Sequence, residues 1–260
     1  MLPIDDEEVE RLEIVHLLHK FLFGNLYLSP LEQQLHQGIR VLEVACGPAW
    51  WSKEMAGLYP NSEFIGIDDT MFPIQNPPLN FHTKKIDYTK DWPFQNDSFD
   101  FVVQREARFQ HTSSTWDKVI EESIRVVKPG GHIEFLEGSN EMNDIGPNLS
   151  MWVMRLTVSM QSRELLGKLG VDLEAMFKKH DDKVNLVDSS HRSSPVGWLG
   201  RAGDLMTEVF ERLIDSVKPR ICDDWNITPA KYDTWTRLLI PEAREFKSWV
   251  NFYNVCLTKK

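Results

Sequence analysis

The sequence predicts an α/β protein with a parallel, doubly wound sheet, and three observations support this fold class. Short apolar runs rich in β-branched residues alternate with helical stretches over residues 39–138. The first unit, residues 40–69, has the order strand, tight turn, helix, strand and acid. Polar residues directly follow the later apolar runs as well. Such alternation favours parallel strands joined by helices, and ligands bind outside the carboxyl ends of those strands.

The chain begins with a predicted amphipathic helix over Asp5–Leu22. Apolar residues recur there at spacings of three and four, and the acidic residues 5–8 lie at the positive end of the helix dipole. Gly24 and Asn25 interrupt the pattern. Residues 1–38 are therefore expected to form a helical lid. The segment Asn25-Leu26-Tyr27 either packs on the sheet or forms a flap over a bound ligand.

The first strand, turn and helix unit carries the clearest ligand signal. Strands are predicted at Ile39–Ala45 and Glu63–Ile67, with a helix at Ala49–Leu58 between them. Asp68 lies 21 residues after Gly47, the spacing at which an acid reaches ribose hydroxyls in such units. The turn has a single glycine, whereas a pyrophosphate needs several. A ligand with adenosine and no phosphate, such as S-adenosylmethionine, therefore fits better than a dinucleotide; an ordinary α/β crossover is the alternative.

Three further predicted strands each end on polar residues. Their ranges are Asn80–Ile86, Ser98–Val103 and His132–Leu136, and a helix is predicted at Trp116–Val127. The residues that follow the three strands are Asp87, then Gln104, Arg105 and Glu106, then Glu137. A carboxylate at this edge can accept from an adenine amine, although a solvated loop aspartate is an equally good interpretation of Asp87 taken alone.

Composition excludes several classes of function. The 260 residues are 42% hydrophobic, which is enough for one large domain. A net charge of −10 disfavours a nucleic-acid partner. The three cysteines are scattered and predict neither a disulfide framework nor a metal site. An acidic N-terminus and the lack of a long apolar stretch predict neither signal peptide nor membrane span, so we expect a cytoplasmic protein, with the nucleus as the alternative.

Four segments, taken together, resemble class I S-adenosylmethionine-dependent methyltransferases. They are VLEVACGPAW, FIGIDD, WPFQNDSFDFVV and RVVKPGGHIEFLE. Within that class, the segments GNLYLSP, KKIDYTKDWPF, FDFVVQRE and NFYNVCLTKK are similar to fungal methyltransferases related to the velvet-complex regulator of secondary metabolism, the LaeA-like proteins. This narrower likeness covers most of the chain and is weaker beyond Glu137.

The resemblance implies a Rossmann-like, seven-stranded, mostly parallel sheet with helices on both faces and a helical cap over the substrate cleft. Residues 1–260 would form one domain, with a cofactor-binding core at 39–138 and the cap and last two strands at 139–260. The last strands, Val184–Val187 and Trp249–Leu257, would pair antiparallel. Helices are predicted at Leu149–Ser162, Ala202–Val217 and Pro229–Leu239, and the methionines around the first of these are expected to pack in the core.

The resemblance also implies a set of residues that bind S-adenosylmethionine. The methionine portion would be held by Glu43 and the turn Ala45, Cys46 and Gly47, and the ribose by Asp68. The ribose edge and adenine face would meet Asp69, Thr70 and Met71, and the adenine would meet Asp87 and Tyr88. The sulfonium side of the cleft would be lined by Gln104 and Arg105, with Tyr27 in the flap. The family usually has glycine where this chain has Ala45 and Ala49, and alanine needs more room and ordinary backbone angles.

Methyl transfer from a sulfonium requires mainly that the protein position the acceptor and exclude water. A general base is needed only when the acceptor must lose a proton, and His111, Glu137 and His191 are the candidates. The leading prediction is a methyltransferase for a small molecule in fungal secondary metabolism. The alternative is a velvet-type regulator that acts through a protein partner, and an exposed apolar surface outside the cleft would favour it. The sequence leaves open whether the protein forms a homodimer. A nicotinamide oxidoreductase is disfavoured by the single-glycine turn.

Overall fold

One seven-stranded sheet organises the computed structural model, which describes residues 2–74, 76–167 and 169–260. The strand order across the sheet is β3-β2-β1-β4-β5-β7-β6. Strands β1 to β5 pair in parallel, and β7 lies antiparallel between β5 and β6. The strand bounds are β1 Arg40–Val44, β2 Glu63–Asp68, β3 Phe81–Lys85, β4 Phe99–Arg105, β5 Val127–Asn143, β6 Val184–Pro195 and β7 Trp249–Lys259.

Nine helices are found in the described part of the chain. Three of them have an N-terminal side-chain cap: Asp5 accepts a hydrogen bond from the Glu8 amide, Thr112 from the Thr115 amide and Thr228 from the Lys231 amide. The helix bounds are α1 Asp6–Phe23, α2 Glu32–Gln37, α3 Trp50–Leu58, α4 Ser113–Val126, α5 Pro147–Gln161, α6 Leu169–Lys178, α7 Arg201–Trp225, α8 Pro229–Thr236 and α9 Leu239–Phe246.

Alternating side chains of the central strands supply the cores on the two sheet faces. Val41 and Phe101 pack with Trp51 of α3 on one face. Leu42 and Val102 point to the opposite face, where α4 and α6 cover them. A third cluster joins α1, α5, α7, α8 and α9 to the carboxyl end of the sheet. The predicted fold class, with helices on both faces and a helical cap, is therefore confirmed.

The structure differs from the prediction mainly where distant strands supply the pairing. Strand β5 continues to Asn143 because β7 pairs with it as far as Trp249. Strand β6 likewise runs through twelve residues against β7. Helix α7 continues through Pro219 to Trp225. The predicted helix Pro229–Leu239 is α8, which ends at Thr236, whereas α6 and α9 had not been predicted.

The predicted loop over residues 70–78 has neither helix nor strand in its described part; Gln75 lies outside the described residues. No helix in the described ranges has both the length and the apolarity that a bilayer span requires.

The turn after β1 holds three residues in the left-handed region. Ala45, Gly47 and Ala49 have φ values of 54°, 51° and 58°. The expectation of ordinary backbone angles for the two alanines was therefore wrong, because the turn imposes the left-handed conformation on whichever residue occupies these positions. An L-residue there carries a cost of about 1–2 kcal/mol.

We expect Ala45→Gly to raise the free energy of unfolding by about 0.5–1 kcal/mol, because relief of the left-handed strain exceeds the added entropy of the unfolded chain. Ala45 is the better test of the two alanines, since it is half-buried and loses little packing, whereas Ala49 is fully buried. Urea unfolding measures the change. Ala56→Gly in the last turn of α3, where the backbone is helical, is the control and should lower stability. A loss of stability in Ala45→Gly would contradict the strain.

Candidate active site

Three adjoining cavities follow the carboxyl edge of β1, β2 and β3. Their volumes are about 60, 200 and 360 Å³. The first is lined by Glu43 and Arg105, the second by Asp69 and Thr70, and the third by Asp69 and Asp87. Neighbouring cavities share wall residues, and Gln110 lines all three. The arrangement is an elongated channel that passes the ends of three neighbouring strands.

Asp68 lies behind this channel and holds its wall together. Its side chain is buried, with Oδ2 accepting a hydrogen bond from the Gly47 amide at 2.8 Å and Oδ1 accepting one from the Thr70 amide at 2.9 Å. Burial raises the pKa of Asp68, and the two backbone donors oppose that rise. The neighbouring Asp69 is exposed and lines the second and third cavities. Of the two acids, Asp69 is therefore the one whose side chain lines the channel, and Asp68 supports the wall behind it.

Glu43 presents an unsatisfied carboxylate to the first cavity. The residue is 5% exposed, and its Oε2 atom has no hydrogen-bond partner among the described residues. Burial raises the pKa of Glu43 to about 7, against the opposing effects of Ser52 and Arg105. A buried acceptor without a donor is costly. A ligand that brings an ammonium group would satisfy it.

Helix α1 closes the first cavity from above, which explains its small volume. Leu12, His16 and His19 of α1 line it together with Arg105. The Arg105 guanidinium donates from Nη1 to His16 Nδ1 at 3.2 Å and from Nη2 to His19 Nδ1 at 2.9 Å. Burial, together with the positive charge of Arg105, lowers the pKa of both imidazoles to about 4. Both histidines are therefore neutral acceptors near pH 7, and they fasten α1 to the end of β4.

An acid at the end of β4 adds a second link to α1. Glu106 Oε1 accepts from the Gly138 amide at 2.8 Å and lies 3.5 Å from His19 Nε2, while Oε2 pairs with Arg108 at 3.0 Å. Burial alone would raise the pKa of Glu106, but Arg108 and His19 hold it at about 2. Glu106 therefore places a negative charge in the wall shared by the first two cavities.

The third cavity is built around an aromatic pair. Tyr88 is buried, donates to the Ile67 carbonyl at 3.1 Å and meets His111 edge to face at 4.7 Å. Asp87 at the rim is exposed and accepts from the Thr89 amide and hydroxyl, and these bonds with the Lys90 ion pair lower its pKa to about 2. The cavity thus offers two rings on one side and an ionised carboxylate at its mouth.

Two of the three candidate bases form a buried chain with Gln104. His111 Nε2 donates to Gln104 Oε1 at 3.2 Å, and Gln104 Nε2 donates to Glu137 at 3.3 Å. Glu137 is fully buried and also accepts from the Ala107 and Arg108 amides. Burial raises the pKa of Glu137 and lowers that of His111 to about 3. Of the three, His111 alone lines one of the three channel cavities, the third one. Glu137 and Gln104 brace the end of β4 from behind.

Three predicted site residues lie elsewhere. Tyr27 bonds to the Tyr59 hydroxyl at 2.9 Å and lines a separate cavity of about 1070 Å³ on the α3 side. Its segment is held there because Glu134 accepts hydrogen bonds from the amides of residues 28 and 29. His191 is exposed on edge strand β6, opposite Tyr253. Met71 is 45% exposed and lines none of the three cavities.

Other wall residues had not been predicted. His16 and His19 carried a usable signal, since they are polar residues among the leucines and valines of α1. Gln110 carried none, because it follows β4 in an irregular segment. Cys46, by contrast, is one of the predicted residues; it is buried in the first cavity wall, and its Sγ atom fills the space that Gly66 leaves open. Among the described residues no group of three or more His, Cys, Asp and Glu side chains is placed to hold a metal.

Comparison with known proteins agrees with the geometry. Residues 41–131 match a family described as a methyltransferase domain. The chain is 32% identical over 141 residues to the secondary metabolism regulator LAE1 of Cochliobolus heterostrophus, covering 53% of this chain and 45% of that protein. It is 31% identical over 146 residues to the N-methyltransferase gliN of Aspergillus fumigatus, covering 54% and 51%. The chain thus spans about half the length of these relatives.

A solved structure shares the fold across most of the chain. It is phosphoethanolamine N-methyltransferase 2 of Haemonchus contortus in complex with S-adenosylmethionine, with a TM-score of 0.51 and 17% identity over 94% of this chain and 56% of that one. Together with the domain match, this confirms the class I methyltransferase fold. The likeness to LaeA-like proteins inferred from the motifs is confirmed as well.

We expect Glu43→Gln to stabilise the protein more at pH 8 than at pH 5. The folded pKa of Glu43, about 7, lies above its ordinary value of 4.5. The contribution of this carboxyl to stability is therefore complete below pH 4.5 and is lost as pH rises through 7. The loss amounts to about 3 kcal/mol, at 1.36 kcal/mol per pKa unit. A glutamine at this position does not ionise, so the variant keeps its stability as pH rises.

Urea unfolding of both proteins at the two pH values measures this difference. Glu121→Gln removes an exposed carboxylate of α4 and serves as the control, which should leave the pH dependence unchanged. An equal change in the free energy of unfolding for Glu43→Gln at pH 5 and at pH 8 would show that burial does not raise the pKa of Glu43.

Proposed function

We propose that the protein transfers the methyl group of S-adenosylmethionine to a small molecule in fungal secondary metabolism, because residues 41–131 match a methyltransferase domain and the sheet has the class I fold. The observation that carries the proposal is the channel along the carboxyl ends of β1, β2 and β3. It presents Glu43, Asp69 and Asp87 in the order in which an extended adenosine derivative with an amino-acid tail would meet them.

The donor groups along the channel fit this cofactor. Glu43 Oε2 lacks a hydrogen-bond donor, and the ammonium of a methionine moiety supplies one. Asp69 is placed to accept from ribose hydroxyls in the middle cavity. The rings of Tyr88 and His111 beside Asp87 suit a flat base that carries an exocyclic amine. When bound, the cofactor supplies a methyl group already activated on a sulfonium.

The charges of the wall favour a cationic ligand. Glu43 lines the first cavity, Asp69 lines the second and Glu106 lines both. The pKa of Glu106 is held at about 2. Arg105 lies at the same wall, where its two hydrogen bonds go to neutral imidazoles of α1. Carboxylates in a desolvated pocket stabilise a nearby positive charge more than they would in water. Access to the first cavity requires α1 to move, and its return excludes water from the reacting atoms.

No side chain of this channel is assigned as a general base. His111 lies in the third cavity, beside the proposed adenine position, and its Nε2 already donates to Gln104. Glu137 lines none of the three cavities, and His191 is on the far edge of the sheet. Catalysis by positioning suits an acceptor atom that is already nucleophilic, such as an unprotonated amine. The relative gliN is named an N-methyltransferase, which supports the same choice.

The proposed division of the chain follows from these contacts. Residues 1–38 would act as the lid, 39–138 as the cofactor core, and 139–260 as the acceptor cap with the last two strands. The three cysteines are free and buried, which supports the cytoplasm as the compartment, with the nucleus as the alternative for a relative of regulators. The similarity to LAE1 does not favour a purely regulatory function over catalysis.

We expect S-adenosylmethionine to bind in a calorimetric titration and NAD to bind far more weakly. Asp68→Ala should lower the affinity at least about tenfold, because it releases the Gly47 and Thr70 amides that shape the wall. Asp69→Ala removes an exposed carboxylate that supports no backbone group, so a decrease of about three- to tenfold is expected with unchanged thermal stability. Asp188→Ala on β6 is the control and should bind as the wild type does.

Tighter binding of NAD would reject the cofactor. Unchanged affinity in both aspartate variants would reject the channel as its site. The acceptor is sought by incubating the protein with methyl-labelled cofactor and a fungal metabolite extract, then isolating the compound that gains the label.

A further inference from the structure

We propose that the outer surface of α5 binds an amphipathic helix of another protein, one that carries a carboxylate among apolar side chains. The surface in question, called the α5 face, consists of Met151, Met154, Arg155 and Val158. Its three apolar residues are 47%, 47% and 43% exposed. The spacings of three, four and seven place all four side chains on one side of the helix. The proposal is independent of the methyltransferase site, because none of these residues lines its three cavities.

The composition of α5 differs from that of a helix adapted to water. In α7, every exposed residue except Pro219 is charged. In α5, no exposed residue is charged, and half-buried Arg155 is the single charged residue of the whole helix. Isolated exposed apolar residues are ordinary, but a continuous row at helical spacing is typical of an interaction surface. The expectation that these methionines pack in the core holds for Met160 and not for Met151 and Met154.

Arg155 supplies the chemical selectivity. Its guanidinium lies between two indole rings, 5.3 Å from the centre of Trp225 and 4.9 Å from that of Trp235. Among the described residues no carboxylate forms an ion pair with it, and its Nε atom is buried without a hydrogen-bond partner. An unpaired, rigidly stacked guanidinium is unusual in a chain with a net charge of −10. A carboxylate from outside would form the charge-assisted hydrogen bonds that this group lacks.

The same arginine argues against a second copy of this chain as the occupant. A two-fold axis through the middle of the α5 face would bring two Arg155 guanidinium groups together with no counter-ion between them. A lipid surface would leave the planar, stacked geometry unused. The combination of methionine, tryptophan and arginine is instead the composition enriched at protein interfaces. The methionines add adaptability to the shape of the bound helix.

The test uses a displayed library of 16-residue helical peptides, selected on the wild-type protein and counter-selected on a Met151→Ser, Met154→Ser, Val158→Ser variant. We expect enrichment of peptides with a glutamate or aspartate flanked by apolar residues three or four positions away. For the best peptide, replacing the acid by its amide should weaken binding to the wild type at least about tenfold. The same replacement should have little effect on binding to Arg155→Gln. Arg220→Gln on α7 is the matched control and should bind as the wild type does.

The outcomes are decisive in either direction. Failure to enrich peptides, enrichment of peptides without an acid, or equal binding by the serine variant would overturn the proposal. Self-association in sedimentation, or binding to phosphatidylcholine–phosphatidylserine vesicles, that disappears in the serine variant would overturn it in favour of those occupants. Thermal unfolding confirms that each variant is folded. S-adenosylmethionine titration of the serine variant should match the wild type, so a failure of the proposed catalytic function is recognised separately.

Discussion

The channel depends on one carboxylate that the solvent does not reach. Asp68 ends β2 and accepts a hydrogen bond from the Gly47 amide in the turn after β1, and a second bond fixes the start of the loop at Thr70. The two strands are thereby joined at their carboxyl ends as well as along their length. The hydrogen bond to the Gly47 amide helps to hold the left-handed turn in place, and α3 begins directly after that turn, at Trp50. Glu43 of β1 and Asp69, which follows β2, line neighbouring cavities of the channel on the two strands that Asp68 joins.

Helix α1 imposes an electrostatic condition on the same region. Arg105 can bond to both imidazoles of α1 only while these are neutral, and burial keeps them so. Glu106 remains ionised because Arg108 lies beside it. The contact between α1 and the end of β4 therefore depends on buried charges and hydrogen bonds as well as on apolar packing. Under the proposed function, a cationic ligand bound next to Glu43 would change these charges directly and so couple ligand binding to the position of α1.

Much of the core could be predicted from the sequence because alternation along a strand is a local property. The first four strands, the turn at Gly47 and the helix after it lie within a few residues of their predicted bounds, whereas β5 extends well beyond its predicted bounds on both sides. Tyr27 could not be placed, since its segment is held by Glu134, 106 residues away from Leu28. The left-handed angles of Ala45 were equally hidden, because residue type does not report a backbone conformation that the surrounding bonds impose. The α1 residues of the site were missed although His16 and His19 are polar residues within an apolar pattern, because that pattern does not tell which part of the sheet the helix covers.

The position of β7 has a consequence for how the chain can fold. Strands β5 and β6 are consecutive in the chain, yet β7, which follows both, separates them in the sheet. Until residues 249–259 have been synthesised, β5 presents an open edge flanked by buried apolar residues, and β6 is the next strand available to it. Direct pairing of these two would exclude β7 and leave a competing, shorter sheet. The polar sequence of β6 makes direct β5–β6 pairing less stable, because β6 contributes few core residues. This leaves the edge of β5 free for β7 once that strand has been synthesised.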